Sequence, residues 1–439
     1  MLTPRGSLKV ALLFSRLLVP ATTRADLESY VKAPDESFGW KLTGEMALPG
    51  GGSALIVRLT SQTWQGILWE HWLSVVRPEK VTHPEHALLF ITGGSKKSEP
   101  PKRASEEAMI FAKIARETGS VIAVLAQVPN QPLFGDLRED ALISHTFVKY
   151  METKDDSWPC LLPMTKSAVR AMDAVQAIAK EKLSQQIRHF VVSGASKRGW
   201  TTWLTGAVDP RVIAIAPMVI DTLNMPEQMQ LQLRSFGGYS EMIHDYSDRN
   251  LPDQLRKPEG KHLVELVDPY SYRKNLTMPK LILLGTNDPY WPVDAVKLYF
   301  GGLEGEKHIH YVPNGDHGLG PGAVEALAAF YNDVITGTPR PHFSWSFQRG
   351  KTEATLTVEA QDPPIKAELW QSSAPTRDFR KVRWSPAPMA RDGDGRFVAK
   401  VPAPGEGFAA VLGQLTYKSA LGHEYTLSTN VEVLEPPGK

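Results

Sequence analysis

The sequence predicts an α/β fold: a doubly wound, mostly parallel sheet with a helical insertion, followed by an all-β C-terminal domain. Three observations lead to it. From residue 86 onward, short runs that are apolar at every position alternate with amphipathic stretches of helical period. Strands that are apolar on both faces must be covered by helices on both sides, which is the arrangement of a parallel sheet. After about Pro341 the pattern changes to short alternating runs divided by Pro and Gly, which is typical of a β-sandwich.

Each strand of the predicted sheet is marked by its own apolar run. At one edge, Ala54 to Leu59 and Leu68 to Val76 are rich in aromatic and branched residues with partial alternation, which predicts antiparallel strands. The buried strands are predicted at His86 to Ile91, Val121 to Val128, Phe190 to Gly194, Val212 to Ile220, Leu281 to Leu284 and His308 to Val312. The helices are predicted at Ser105 to Arg116, Met164 to Leu183 and Lys197 to Ala207.

The strand pattern disappears between residues 221 and 273, where methionines and aromatic residues are mixed with polar ones. This composition predicts an inserted helical cap, whose large side chains, such as Phe236 and Tyr246, either line a pocket or pack inside the insertion. The main domain is therefore expected to span residues 26–340 with the cap inside it. Residues 341–439 are expected to form a β-sandwich of the immunoglobulin or fibronectin type.

Residues 1–25 have the order of a secretory signal: basic residues, then an apolar stretch from Val10 to Val19, then small residues ending at Ala25. Arg16 weakens this signal, because a charge lowers membrane partitioning, and a cytoplasmic leader is the alternative. The stretch is shorter than the roughly 20 residues that cross a bilayer, and no other apolar run approaches that length. We therefore expect a periplasmic or secreted protein whose mature chain has no integral membrane segment.

Composition excludes several classes of protein. The chain has 439 residues, with 49 Lys and Arg against 48 Asp and Glu, so its net charge is +1. A nucleic-acid-binding surface needs a clustered basic excess, so nucleic acid is not an expected partner. The lone cysteine, Cys160, excludes an intrachain disulfide and the cysteine-rich zinc modules.

The segment HFVVSGASKRGWTTW contains the candidate nucleophile, Ser196, at a turn between a buried strand and a helix. Such a turn lifts a hydroxyl out of the chain, and small neighbours such as Gly194 avoid clashes. The match to G-x-S-x-G is incomplete, since Arg198 stands at the second glycine position and Gly199 follows it. An ordinary glycine-rich turn is the alternative. A phosphate-binding loop is disfavoured because Trp200 stands where its lysine belongs.

The candidate acid and base each follow a later strand. Asp288 lies just past the run LILLG, at the carboxyl end of a buried strand, where sites of parallel α/β sheets form. Asp294 is the rival acid, although its place after Pro292 also suits the first turn of a helix. His317 lies in the turn after the strand predicted at His308 to Val312. A single loop histidine is more often solvated than catalytic.

The order of the three residues strengthens the prediction. Ser196, Asp288 and His317 follow the Ser, Asp, His order that separates α/β-hydrolases from other triad folds. The chemistry that this order predicts is acyl transfer, with the serine as nucleophile, the histidine as general base and the aspartate holding its tautomer.

An oxyanion hole is predicted from two backbone segments. One N–H belongs to Lys197, directly after the serine. The other is expected from the loop after the first parallel strand, at Gly94 or Ser95, where glycines let amides turn inward.

The predicted reaction needs no metal or organic cofactor. His308 and His310 lie on one face of a strand and could form half of a metal site, but no third ligand stands at a matching spacing. They are interpreted as structural histidines.

At these motifs the chain resembles a known family. The stretches SGASKRGWTTWLTGAVDPRVIAIAPMVID, QVPNQPL (127–133), LLPMTKSAVRAMDAVQ (161–176) and GTNDPYW (285–291) are similar to the PhoPQ-activated pathogenicity-related protein family, over about residues 26 to 340. The resemblance implies an exported α/β-hydrolase with Ser196, Asp288 and His317 at the triad positions. It does not imply a substrate.

A looser likeness is to glucuronoyl esterases, whose motif G-C-S-R-x-G is approximated by residues 194–199. There a basic side chain after the serine assists the oxyanion, a role that would fall to the Lys197 side chain here. The sequence thus predicts an exported serine hydrolase that acts on a peptide or ester. The alternatives are a carbohydrate esterase of this second type and a non-catalytic extracellular signalling or binding protein on a hydrolase fold.

Overall fold

The structure is a computed structural model that describes residues 26–96, 99–101, 106–320 and 322–436. The predicted secretory signal, residues 1–25, lies outside the described residues. The described α-helices are α1 (Leu27–Lys32), α2 (Glu106–Thr118), α3 (Glu139–Thr153), α4 (Leu161–Lys182), α5 (Lys197–Val208), α6 (Met225–Phe236), α7 (His244–Ser247), α8 (Leu251–Gln254), α9 (Pro258–Val267) and α10 (Gly322–Thr336). The described strands are β1 (Gly39–Ala47), β2 (Ser53–Trp64), β3 (Ile67–Arg77), β4 (His86–Ile91), β5 (Val121–Leu125), β6 (His189–Ala195), β7 (Val212–Met218), β8 (Lys280–Gly285), β9 (Lys307–Val312), β10 (Phe343–Arg349), β11 (Glu353–Ala360), β12 (Lys366–Ala374), β13 (Ser385–Pro388), β14 (Ala390–Arg391), β15 (Phe397–Pro402), β16 (Phe408–Lys418), β17 (Glu424–Ser428) and β18 (Glu432–Leu434).

The central sheet is mixed, and its middle is parallel. Its strands follow the order β1-β2-β3-β5-β4-β6-β7-β8-β9. The first three strands are antiparallel to one another, and β5 pairs antiparallel with β3. From β5 through β9 every neighbouring pair is parallel. The predicted α/β fold with an antiparallel edge is confirmed.

Helices cover both faces of this sheet, as its apolar runs require. On β4, Leu89 packs with α4 and α5, whereas its neighbour Leu88 packs with α2 and α10 on the other face. The same alternation on β6 sends Val192 to the first face and Val191 to the second. All four side chains are fully buried, which explains why these strands show no polar alternation.

Two strands end earlier than their apolar runs predict. The run from residue 121 to 128 forms a strand only to Leu125, and the run to Ile220 ends as a strand at Met218. The following backbone turns away from the sheet, with positive φ at Gln127 (65°) and Val219 (46°). Apolar composition could not show these ends, because the residues beyond them are buried in loops rather than in the sheet.

The region between β7 and β8 is helical, as expected for the insertion. It contains α6 to α9 and short 3₁₀ turns at Glu241–Ile243 and Pro269–Tyr272. Asp268 helps to close it, because its carboxylate accepts hydrogen bonds from the backbone N–H groups of Asn224 (3.1 Å) and Met225 (2.8 Å) at the start of α6.

The C-terminal strands form two antiparallel layers. One is the four-stranded sheet β10-β11-β15-β14. The other contains β12, β13, β16, β17 and β18, and it continues the central sheet through a bridge between Ser428 and Ile309. The layers face each other closely, since a Cβ atom on Gly413 would lie 3.1 Å from Leu356 Cδ2. The sequence indicated the sandwich but not its continuity with the central sheet.

Within the described ranges, no helix is both long enough and apolar enough to cross a membrane.

The turn from β6 into α5 is packed tightly against β7. A Cβ atom on Gly199 would lie 2.7 Å from Ile220 Cγ2, 2.8 Å from the Met218 carbonyl and 3.0 Å from the Gly194 carbonyl. A close approach between helix and strand therefore requires glycine here, one position later than in G-x-S-x-G.

We expect Gly199→Ala to lower the free energy of unfolding by about 1–3 kcal/mol, because overlap with fixed backbone atoms outweighs the better helix propensity of alanine. Gly238→Ala is the matched control, since a Cβ atom there would meet nothing within 4 Å. Urea denaturation of the two variants checks this. Equal stabilities would contradict the proposed packing role of Gly199.

Candidate active site

Ser196 lies between β6 and α5 in a strained backbone conformation. Its φ of 58° and ψ of −124° are rare for a residue with a side chain. Two backbone hydrogen bonds hold it there: its N–H donates to the Met218 carbonyl (2.9 Å), and its carbonyl accepts from the Trp200 N–H (3.0 Å). This is the geometry of a nucleophile elbow, in which the turn raises the hydroxyl above the sheet.

Asp288 and His317 come from the loops after β8 and β9, which are neighbouring parallel strands. The His317 Nδ1 lies 2.8 Å from the Asp288 Oδ2. The other carboxylate oxygen, Oδ1, accepts the backbone N–H of Tyr290 at 2.9 Å. Donation from Nδ1–H to the carboxylate leaves Nε2 as a proton acceptor. The buried Nε2 has no hydrogen-bond partner in the described part of the chain.

Ser196 and His317 line the same pocket, which lies beneath α6, α7 and α8. The Tyr290 ring stacks on the imidazole, with 4.2 Å between ring centroids and 29° between planes. The structure therefore places the predicted nucleophile and base on one cavity, and the predicted acid bonds to the base. Asp294, the rival acid, is buried elsewhere and pairs with Arg377 at 2.8 Å.

The two basic residues after the serine are both paired with α3. The Lys197 ammonium lies 2.6 Å from Asp140 Oδ2, so its charge is already paired with a carboxylate. Arg198 forms a bidentate pair with Glu139, at 2.8 Å and 2.6 Å. Burial raises the pKa of Glu139, but the hydrogen bonds and charge of Arg198, together with Gln131 and Lys197, hold that pKa below its usual range.

Arg198 also reaches the loop predicted to complete the oxyanion hole. Its Nε donates to the Val128 carbonyl (2.5 Å), and its guanidinium fills the space where a Cβ atom on Gly93 would lie. Gly94 and Ser95 follow directly. Among the described residues, these two do not line the Ser196 pocket. Both line a neighbouring surface cleft instead. The N–H of Lys197 is at the first position of α5, where no intrahelical acceptor exists.

The C-terminal strands reach the acid and histidine loops through two asparagines. Asn287 Nδ2 donates to the Val382 carbonyl at 2.7 Å. Asn314 bonds twice to the backbone of Trp384: its Oδ1 accepts the N–H (2.7 Å) and its Nδ2 donates to the carbonyl (3.1 Å). The loops are also bonded to each other, since the Asn287 N–H donates to the Gly315 carbonyl at 2.9 Å.

Sequence reasoning missed most of these supporting residues. Asn287 and Tyr290 lie close to Asp288 in the stretch TNDPYW. Polar and aromatic residues concentrated just after a buried strand could have indicated that they support the site. Glu139 and Asp140 gave none, because acidic residues in the first turn of a helix are expected for the helix dipole alone.

No metal centre accompanies the site in the described residues, where no group of three or more His, Cys, Asp or Glu could hold an ion. His308 bonds to Glu306 at 2.8 Å, and His310 Nδ1 bonds to the Thr426 carbonyl at 2.8 Å. Burial lowers the pKa of His310 to about 4, so this imidazole is neutral at physiological pH. Each histidine thus has a hydrogen-bond partner within the protein.

Comparison with known proteins identifies the family. The profile of the PhoPQ-activated pathogenicity-related proteins matches residues 27–380, which include the elbow and both loops of the site. The chain belongs to this family. One relative is autocrine proliferation repressor protein A from Dictyostelium discoideum. It is 31% identical to this chain over 468 residues, and the alignment covers 98% of this chain and 94% of that protein.

Comparison with solved structures shows the fold of this chain. Acetyl xylan esterase 1 from a Thermoanaerobacterium species superposes with a TM-score of 0.50 at 14% identity, covering 70% of this chain and 93% of the esterase. A glucuronoyl esterase from Solibacter usitatus superposes with a TM-score of 0.42 at 14% identity, covering 69% and 87%. The first similarity establishes the α/β-hydrolase fold.

A buried carboxyl group, Asp221, lies just past the end of β7. It accepts a hydrogen bond from the Tyr299 hydroxyl at 2.5 Å. Burial, with smaller contributions from the charges of Asp288 and Asp294, raises the pKa of Asp221 to about 7 against the lowering effect of that bond. The folded protein thus binds this proton more tightly than the unfolded chain does.

We expect the stability of the protein to fall as pH rises from about 4 to 7, because ionisation of Asp221 is disfavoured only in the folded state. Asp221→Asn removes this term and keeps an acceptor for Tyr299. At 1.36 kcal/mol per pH unit between 3.8 and about 7, the variant should gain roughly 4 kcal/mol on the wild type over that range. Denaturation at pH 5 and pH 8 should show about 3 kcal/mol of this gain, the part that falls between pH 5 and about 7. A pH-independent difference between the two proteins would contradict the raised pKa.

Proposed function

We propose that the protein is a serine hydrolase that cleaves an ester or amide bond through an acyl-enzyme at Ser196. The observation that carries the proposal is the 2.8 Å bond between Asp288 and His317, next to a strained serine in the same pocket. Such an arrangement combines an activated nucleophile, a base with its acceptor nitrogen free, and an acid that fixes the tautomer.

In the proposed acylation step, the Ser196 Oγ attacks the substrate carbonyl carbon while His317 Nε2 takes the hydroxyl proton. The C–O bond from serine forms, and the carbonyl electrons move to the oxygen. The imidazolium that results is stabilised by Asp288. As the tetrahedral intermediate collapses, His317 returns the proton to the leaving alcohol or amine, and an ester of Ser196 remains.

In the deacylation step, water repeats the attack with His317 as base, which releases the acid and restores the serine. The oxyanion is assigned to the Lys197 N–H, at the N-terminus of α5, where the helix dipole favours negative charge. Gly94 and Ser95 remain the candidates for the second donor, since their loop is held beside the elbow by Arg198.

The proposal includes export to the periplasm or the medium, because the first 25 residues have the order of a secretory signal.

A second candidate function is favoured by one relative. The Dictyostelium protein is named for repression of proliferation, and it is similar over 98% of this chain. The second candidate is therefore a signalling protein that keeps a hydrolase fold, with or without turnover.

We expect the purified protein to react at Ser196 with a fluorophosphonate, because only an activated serine attacks phosphorus at a useful rate. Ser196→Ala, His317→Ala and Asp288→Asn should each lower kcat/KM by about 10³-fold or more for any ester that the wild type turns over. Mass spectrometry of the labelled peptide locates the modified residue.

Circular dichroism and thermal unfolding of the three variants serve as the folding control. If the folded wild-type protein acquires no label at Ser196, the serine-hydrolase proposal is wrong. A biological effect that survives Ser196→Ala would instead favour the signalling candidate, since a binding role does not need the nucleophile.

A further inference from the structure

The walls of the Ser196 pocket are almost entirely apolar. The centre of a water molecule can reach about 60 Å³ of it, so the cavity is narrow and has room for a short chain. The apolar walls come from α3, α5 and the insertion, and they include Phe147, Trp200, Met225, Met229, Leu251 and Leu255. Trp200 lies one helical turn after Ser196 on α5, so the pocket begins at the nucleophile itself.

The charges in this pocket are paired with each other. Asp140 contacts the Lys197 ammonium at 2.6 Å and accepts a hydrogen bond from the Tyr246 hydroxyl at 2.9 Å. Both charged side chains are nearly buried, with 11% of Lys197 and 13% of Asp140 exposed. An amine or carboxylate that entered would lose its water shell and would find no unpaired opposite charge in this lining. A sugar would leave its hydroxyls without partners on the apolar walls.

His317 borders a second pocket as well. Ala195, Met218 and Leu319 line it, whereas Ser196 does not. Because His317 protonates the leaving group, we place the leaving group on that side. The group that stays bonded to Ser196 then occupies the first pocket.

We propose that the substrate is an ester or amide of an uncharged, apolar acid larger than acetic acid, with its acyl chain in the pocket between α5 and the insertion. This inference rests on the proposed serine-hydrolase function and narrows it. It argues against a glucuronoyl or acetyl ester as the preferred substrate.

The test is a series of p-nitrophenyl esters from acetate to octanoate, which share one leaving group. Burial of each added methylene should raise kcat/KM by about fourfold until the pocket is full. A maximum at acetate would overturn the proposal. Ethyl acetate and hexyl acetate place the added chain on the alcohol instead, and an equal gain in that pair would assign the pocket to the leaving group and also overturn it.

Met229→Trp should fill the pocket from α6 and abolish the gain in kcat/KM with acyl chain length. Leu233→Trp is the matched control: Leu233 lies on the same helix, is 38% exposed and is outside the pocket lining. The control should keep the full chain-length gain. A Met229→Trp profile like that of wild type would show that the chain binds elsewhere.

Diethyl p-nitrophenyl phosphate separates this proposal from the one on which it rests. Its phosphorus bonds to the serine oxygen and one p-nitrophenolate leaves per active site, without a long acyl chain. Release of about one equivalent by wild type, and none by Ser196→Ala, together with no chain-length gain, would overturn the apolar-acyl proposal alone. No release from folded protein would overturn the hydrolase itself.

A separate observation concerns the C-terminal segment 379–384, between β12 and β13. Asn287 precedes the acid and bonds to Val382, while Asn314 stands three residues before His317 and bonds to both backbone groups of Trp384. We infer that this segment is a strap that sets the distance between the Asp288 and His317 loops, with Asn287 and Asn314 as positioning residues.

Asn287→Ala and Asn314→Ala should each lower kcat per titrated active site by about tenfold, with KM unchanged, and should shift the pH profile of kcat/KM. Asn314→Asp, which still accepts the Trp384 N–H, should recover part of the loss. Asn430→Ala is the matched control, because this asparagine accepts a bond from Trp345 (2.6 Å) away from both loops. If the Asn287→Ala and Asn314→Ala variants have a lower melting temperature but the wild-type kcat and pH profile, both asparagines have only a structural role.

Discussion

The hydrogen bond between Asp288 Oδ2 and His317 Nδ1, 2.8 Å long, requires two loops to lie side by side, and much of the structure holds them there. The loops leave β8 and β9, which pair in parallel from Lys280 to Gly285, so both emerge at the same edge of the sheet. Backbone and asparagine bonds then join them to each other and to the C-terminal strands. The proposed catalytic pair, whose members lie 29 residues apart, is thus held by the strand pairing, by backbone bonds and by two asparagine side chains.

The elbow is held by charge. Arg198 and Lys197 reach from α5 to consecutive carboxylates at the start of α3, Glu139 and Asp140. These pairs are partly or largely buried, so their mutual neutralisation is a condition for placing basic residues directly after Ser196. The pair of Lys197 and Asp140 borders the Ser196 pocket, where the two charges offset each other. A bidentate guanidinium also fixes the neighbouring Gly93 loop in a way that a lysine could not.

Prediction from sequence succeeded where a local pattern has one physical meaning. Runs apolar at every position became strands buried on both faces, and the run from His86 to Ile91 has the same bounds in the structure. It failed at strand ends such as Leu125, because a buried loop and a buried strand have the same composition. The acidic residues on α3 carried no signal, since their partners lie about 60 positions away in the chain.

The sequence by itself determined the order of elements and proposed Ser196, Asp288 and His317 as the reactive set, because each follows a strand whose carboxyl end must lie at one edge of a parallel sheet. Only the tertiary structure decided what surrounds them: the paired charge of Lys197, the ring of Tyr290 on His317, and the C-terminal strap. These are contacts between segments far apart in the chain, and their geometry depends on packing that no local pattern encodes.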